Sequence, residues 1–145
     1  MLQQGAVMFP REFLSKLELW ADSDDRKPLV VRGARQVGKT VTVKMFGQRF
    51  ERFLDLNMEL TGDSDIFRRK LHIQETLQAI ILKSRLPQTE GRTLLFIDEI
   101  QNCPEAVEIL RYFYEDMPEI YIVAAGSLLE IALHERQISF PVGRG

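Results

Sequence analysis

Cysteine is nearly absent from the sequence: Cys103 stands alone among 145 residues. A single thiol closes no internal disulfide, and with only two histidines, His72 and His134, it falls short of a zinc quartet. No structural metal is therefore expected, and a reducing compartment is the simple reading. An excess of one charge is missing too. Nineteen Lys and Arg against 21 Asp and Glu leave a net charge of −2, which supplies no global attraction for nucleic acid or anionic lipid and leaves open only a local basic patch. No apolar run approaches the roughly 20 residues that a membrane span needs. The opening MLQQGAVMFPREFL lacks the basic segment, apolar core and cleavage site of a secretory leader, so no membrane partner is expected and the cytoplasm is the default location. There is no repeat or low-complexity tract, and no heptad stripe from which to read an oligomeric state.

What remains is an ordinary globular composition of one-domain length, apolar enough for a core and not charged enough for a disordered tail. Pro10 opens a helical pattern in which Phe13, Leu14, Leu17 and Trp20 recur at spacings of three and four, ended by the turn-rich ADSDDRKP. Strands are expected at Leu29–Val31, Phe50–Asn57, Thr93–Ile97 and Glu119–Ala125. Between the first two lies a helix running to about Phe46. Gly62–Ser64 reads as a loop, and one helix then runs from about Asp65 to Leu86, with Ile73, Leu77, Ile80 and Ile81 on its apolar face and Pro87 as its stop. Pro104 starts another helix, with Val107, Leu110 and Tyr114 sharing a face. Strands apolar on both faces that alternate with helices predict the α/β class: a mostly parallel sheet covered on both sides.

The chemistry lies in Gly33-Ala34-Arg35-Gln36-Val37-Gly38-Lys39-Thr40, which fits G-x-x-x-x-G-K-[ST] directly after a buried strand and at the start of a helix. The glycines let backbone N–H groups turn inward, and with the positive helix end those donors solvate a chain of phosphates. Lys39 would place its charge on the β- and γ-phosphates, and the Thr40 hydroxyl would ligate Mg²⁺. Gly33 through Val41 are the candidate nucleotide-binding residues, with the Arg35 and Gln36 side chains secondary because such side chains usually face outward.

Leu94-Leu95-Phe96-Ile97-Asp98-Glu99 is an apolar strand ending in two acids, an unfavourable place for charge unless the charge is used. Asp98 is the second candidate metal residue, and Glu99 is placed to orient an attacking water or take its proton. The plainer alternative is that both acids begin a solvated loop. Ser127, just past the fourth strand, either bonds the γ-phosphate or water or only caps a helix beginning at Leu128. Arg144 is a candidate charge-stabilising arginine, or a solvated terminal residue. Glu99, Lys39, Ser127 and Arg144 thus form the candidate catalytic set. No N-K-x-D segment is present to read guanine, and the one dense basic run, Arg68-Arg69-Lys70, lies in a helical pattern rather than a lid. ATP and Mg²⁺ are the expected cofactors, and hydrolysis is favoured over transfer to an acceptor.

These segments carry a resemblance. GARQVGKT after a strand, LLFIDEIQ about sixty residues on, then IVAAGSLLE and SFPVGRG resemble the core of the predicted ATPases of the AAA+ superfamily found in bacteria and archaea. The likeness covers nearly the whole chain. It implies a P-loop NTPase fold, Gly33–Thr40 as the Walker A loop, Asp98 and Glu99 as the Walker B acids, and Ser127 as a sensor. It divides the chain into an N-terminal helical segment, 1–27, and the core, 28–145. Such a sheet has five strands, of which the sequence shows four, the fifth normally bordering the first. The resemblance therefore implies a core that stops early, with a C-terminal domain or protein partner outside it.

Three functions follow as expectations. One is an ATPase whose cycle moves an attached domain or partner. Another is a nucleotide-gated scaffold with little hydrolysis. The third is a nucleic-acid-directed ATPase, for which Arg68-Arg69-Lys70 beside His72 is the only footprint and net charge offers no support.

Overall fold

The computed structural model describes residues 10–32, 37–85, 91–127 and 142–143. Helix α1 (Pro10–Ala21) precedes β1 (Leu29–Arg32), α2 (Val37–Gly47) and β2 (Arg52–Asn57). Then come α3 (Thr61–Arg68), α4 (Ile73–Ser84), β3 (Thr93–Asp98), a 3₁₀ turn at Ile100–Asn102, α5 (Pro104–Asp116), β4 (Tyr121–Gly126) and β5 (Val142–Gly143). The strands form one parallel sheet in the order β2-β3-β4-β1-β5.

Strand side chains alternate between two cores, as a period of two requires. Val30, Leu54, Leu56, Leu95, Ile97, Ile122 and Ala124 join one cluster with residues of α3, α4 and α5, including Ile66, Phe67, Ile80 and Phe113. Leu29, Val31, Leu94, Phe96 and Val123 join the other with Phe13 and Leu17 of α1 and Val43 and Phe46 of α2. The sheet is therefore covered on both faces, and the continuous apolar reading of LLFI is explained. Its four residues divide equally between two cores. Among the described residues no helix is long and apolar enough to cross a membrane.

Three expectations need correction. Gly62–Ser64 is not a loop but part of α3's first turns, anchored by Asp63: this buried carboxylate accepts the Asn57 N–H at 3.0 Å and pairs with Lys83 at 2.7 Å. The single long helix is in fact two. Lys70 takes a left-handed φ of 53°, and the His72 ring nitrogen then caps α4 by accepting the Gln74 N–H. The basic run is accordingly the end of a helix and a turn rather than one solvated face. Finally, a fifth strand does lie within the chain, beside β1 where the resemblance put it; two residues between Pro141 and Arg144 are too few to show any apolar period. The second strand also starts later than expected, at Arg52, since Phe50 sits in a turn closed by its own N–H on the Gly47 carbonyl.

Candidate functional site

A parallel sheet collects its strand carboxyl ends on one edge, and the register shows what gathers there. Arg32, the last residue of β1, pairs with Gly126 of β4. Ala124 pairs with Ile97 of β3, and Asp98 pairs with Asn57 of β2. The carboxyl ends of β1, β4 and β3 therefore lie at one edge, with β4 between β1 and β3 so that Ser127, which follows β4, lies between the end of β1 and the two acids. Ligands of open α/β sheets bind at this edge.

Gly33, Ala34, Arg35 and Gln36 lie outside the described residues, as does Arg144. The loop resumes in the first turn of α2 with Val37, Gly38, Lys39 and Thr40. A Cβ on Gly38 would meet nothing within 4 Å, so packing does not require glycine there, whereas close approach of a ligand to the backbone would. Gly38→Ala is therefore expected to leave stability unchanged or raise it by about 0.5 kcal/mol while weakening nucleotide binding. Paired thermal melts and ATP titrations check it, and a destabilised variant with intact binding would contradict it. The Thr42 hydroxyl donates to the Gly38 carbonyl at 2.6 Å and holds this turn. Lys39 is buried at the positive end of the helix, and its pKa is lowered first by desolvation and then by the charge of Lys16. Val41, by contrast, points an exposed side chain away from the core.

At the end of β3 the Asp98 carboxyl is half-buried, and desolvation raises its pKa. The charges of Glu99 and Asp55 push it up further, against the Glu99 N–H, which donates to Asp98 Oδ1 at 2.9 Å, and the charge of Lys44. Glu99 adopts left-handed backbone angles, φ 52° and ψ 43°, a conformation that costs a non-glycine residue about 1–2 kcal/mol. The 3₁₀ turn that follows, pinned by fully buried Ile100, holds it there. That turn aims Gln101 back at the acids. Its Nε2 donates to Glu99 Oε1 at 2.8 Å, and its Oε1 accepts the Ser127 N–H at 3.0 Å. One amide thus joins the end of β3 to the end of β4.

A family model of the AAA domain matches residues 25–144. The chain belongs to the AAA domain family. No curated protein matches it. The AAA domain is a P-loop core that binds nucleotide, which agrees with the sequence motif and the α/β fold.

The donors of this AAA domain fit Mg²⁺ held largely by phosphates. Among the described residues no group of three or more His, Cys, Asp or Glu could hold a metal ion. One carboxylate and one hydroxyl, Asp98 and Thr40, match a cation that takes few protein ligands and keeps substrate oxygens and waters. Mutual repulsion among Asp98, Glu99 and Asp55 would also be relieved by a cation there.

Sequence reasoning missed Gln101, whose role depends on a left-handed residue two positions earlier. It also missed Lys44, which sits 3.6 Å from Asp55 on the sheet's edge strand. The only sequence signal for Gln101 was a polar residue placed just after an acid pair. The helix expected from Leu128, which Ser127 would cap, falls outside the described residues.

Proposed function

We propose that this AAA domain binds ATP with Mg²⁺ and hydrolyses it, and that the cycle moves an attached domain or partner. The observation that supports the reading is the register that sets Arg32 opposite Gly126 and Ile97 opposite Ala124, so that the residues following β1, β4 and β3 leave the sheet at one edge. In this reading the α2 N-terminus and Lys39 bind the phosphates, and Thr40 and Asp98 hold the cation. Bound Mg²⁺ supplies neutralisation of charge on the β- and γ-phosphates. Glu99 orients the attacking water and accepts its proton, and Gln101 fixes that carboxylate. Support for coupling to motion comes from the Glu99–Gln101–Ser127 bonds: a shift at Ser127 on loss of the γ-phosphate would be felt at Glu99.

The nucleic-acid reading loses part of its footprint, because the Arg68 guanidinium donates to Ser64 Oγ at 3.2 Å and to the Asn102 carbonyl at 3.1 Å. Calorimetry with ATP and Mg²⁺ on the chain and on Lys39→Ala tests the assignment. Loss of one charge-assisted contact, worth about 1.5–3 kcal/mol, predicts binding weaker by about 10- to 150-fold. Equal binding by both proteins, or none by either, would sink it.

A further inference from the structure

The opposite edge of the sheet carries a second set of charges that the nucleotide site does not use. Arg26 precedes β1, Arg52 opens β2 and Arg92 precedes β3; all three line one cavity of about 550 Å³ together with Thr93, Glu119 and Tyr121. Strands of six residues place it about 20 Å from the acid pair.

Three guanidiniums share this cavity, yet among the described residues none is ion-paired. Arg26 lies 3.5 Å over the Tyr121 ring and donates from Nη2 to the Pro118 carbonyl at 2.7 Å. Arg52 Nε donates to Thr93 Oγ1 at 2.9 Å. Arg92 stacks on Phe50 at 4.5 Å and faces Tyr121 at 5.4 Å. The nearby Glu51 carboxylate accepts the Arg92 backbone N–H through Oε1 at 2.6 Å, so its bond is to the main chain of Arg92 rather than to the guanidinium. Glu119 is the one acid among the lining residues. Burial lowers the Arg26 pKa, the charge and hydrogen bond of the Tyr121 phenol oppose that, and Arg92 adds a smaller like-charge repulsion. Each guanidinium carries five N–H donors, and the bonds to Pro118 and Tyr121 from Arg26 and to Thr93 from Arg52 leave the others for a ligand. The aromatic stacks hold the planes in place, so donors are preset rather than ordered on binding.

We propose that this cavity is a second anion site, built for a phosphate-bearing ligand. A carboxylate offers two oxygens in one plane and satisfies one fork well, whereas the tetrahedral oxygens of a phosphate accept from several directions, as guanidiniums arriving from three strand ends require. The cavity's volume is ample for a diphosphate. The phosphate comes either from a small phosphorylated compound or from the backbone of a nucleic acid strand, and the same chemistry serves both.

Pyrophosphate titrated into the chain without Mg²⁺, followed by the side-chain Nε–H signals of the arginines, tests the site. Saturable shifts are expected at Arg26, Arg52 and Arg92, weaker in affinity by about tenfold in Arg92→Gln and unchanged in Lys39→Ala. Arg92 is exposed, so its replacement spares the core, and Arg52→Gln serves as a second variant. A short oligothymidylate that moves the same signals assigns the phosphate to nucleic acid; shifts with pyrophosphate alone assign it to a small ligand. Absence of saturable shifts, shifts confined to the Gly38–Thr40 amides, or affinity equal to the parent's in both arginine variants would overturn the proposal.

Discussion

Glu99→Gln is expected to bind ATP as the parent does and to hydrolyse it about 10²- to 10⁴-fold more slowly, the contribution of a positioned general base. The substitution is nearly isosteric. The new amide oxygen can still accept from Gln101 Nε2, so the bond now at 2.8 Å and its link onward to Ser127 survive. Cation binding survives as well, because the charge of Glu99 is one of the causes that raise the Asp98 pKa; removing it favours the ionised carboxylate. The variant therefore separates chemistry from affinity. Single-turnover hydrolysis beside an equilibrium binding measurement checks it. A nucleotide-gated scaffold with little turnover predicts the opposite, no change in either quantity. Gln101→Ala should lower kcat less than Glu99→Gln while leaving KM nearly unaltered, since it loosens the base without touching the phosphates.

The second large effect is on stability. Phe96→Ala is expected to cost about 3–5 kcal/mol, a large share of the roughly 5–15 kcal/mol that holds a domain together. Phe96 is fully buried in β3, an inner strand of the sheet, paired with Val123 on one side and Asp55 on the other, in the cluster that includes Phe13, Leu17 and Phe46. Helices α1 and α2 close over it, and the strand cannot move to fill the space without breaking register on both sides. Urea unfolding should show a lower midpoint at constant slope. Leu19→Ala, at a side chain 74% exposed, is the control and should stay within about 0.5 kcal/mol. If Phe96→Ala behaved like that control, the packing described for this face would be wrong.

Much of the fold was legible in the sequence because its signals are local. Leu29–Val31 and Thr93–Ile97 read as buried strands since every position faces one core or the other. Pro10 and Pro104 marked helix starts because a missing N–H costs nothing in a first turn. Gly62–Ser64 was misread because glycine and serine are turn residues by propensity, while the helix there is held by a buried Asp63 that reaches Asn57 and Lys83. The break at Lys70 escaped notice because an apolar period carries across a short turn. For the site, the spacing of Gly38-Lys39-Thr40 and the pair Asp98-Glu99 announced themselves through chemistry that needs those residue types.

By itself, then, the sequence determined that the chain is an α/β P-loop core and which side chains could serve phosphate and cation, because local pattern dictates strands, helix starts and loop chemistry. Only the tertiary structure decided that β4 stands between β1 and β3, that Gln101 ties Glu99 to Ser127, and that Arg26, Arg52 and Arg92 share one cavity. Those are relations between residues up to a hundred positions apart or across a left-handed turn. Strand order and register create them, and neither is written in any local window.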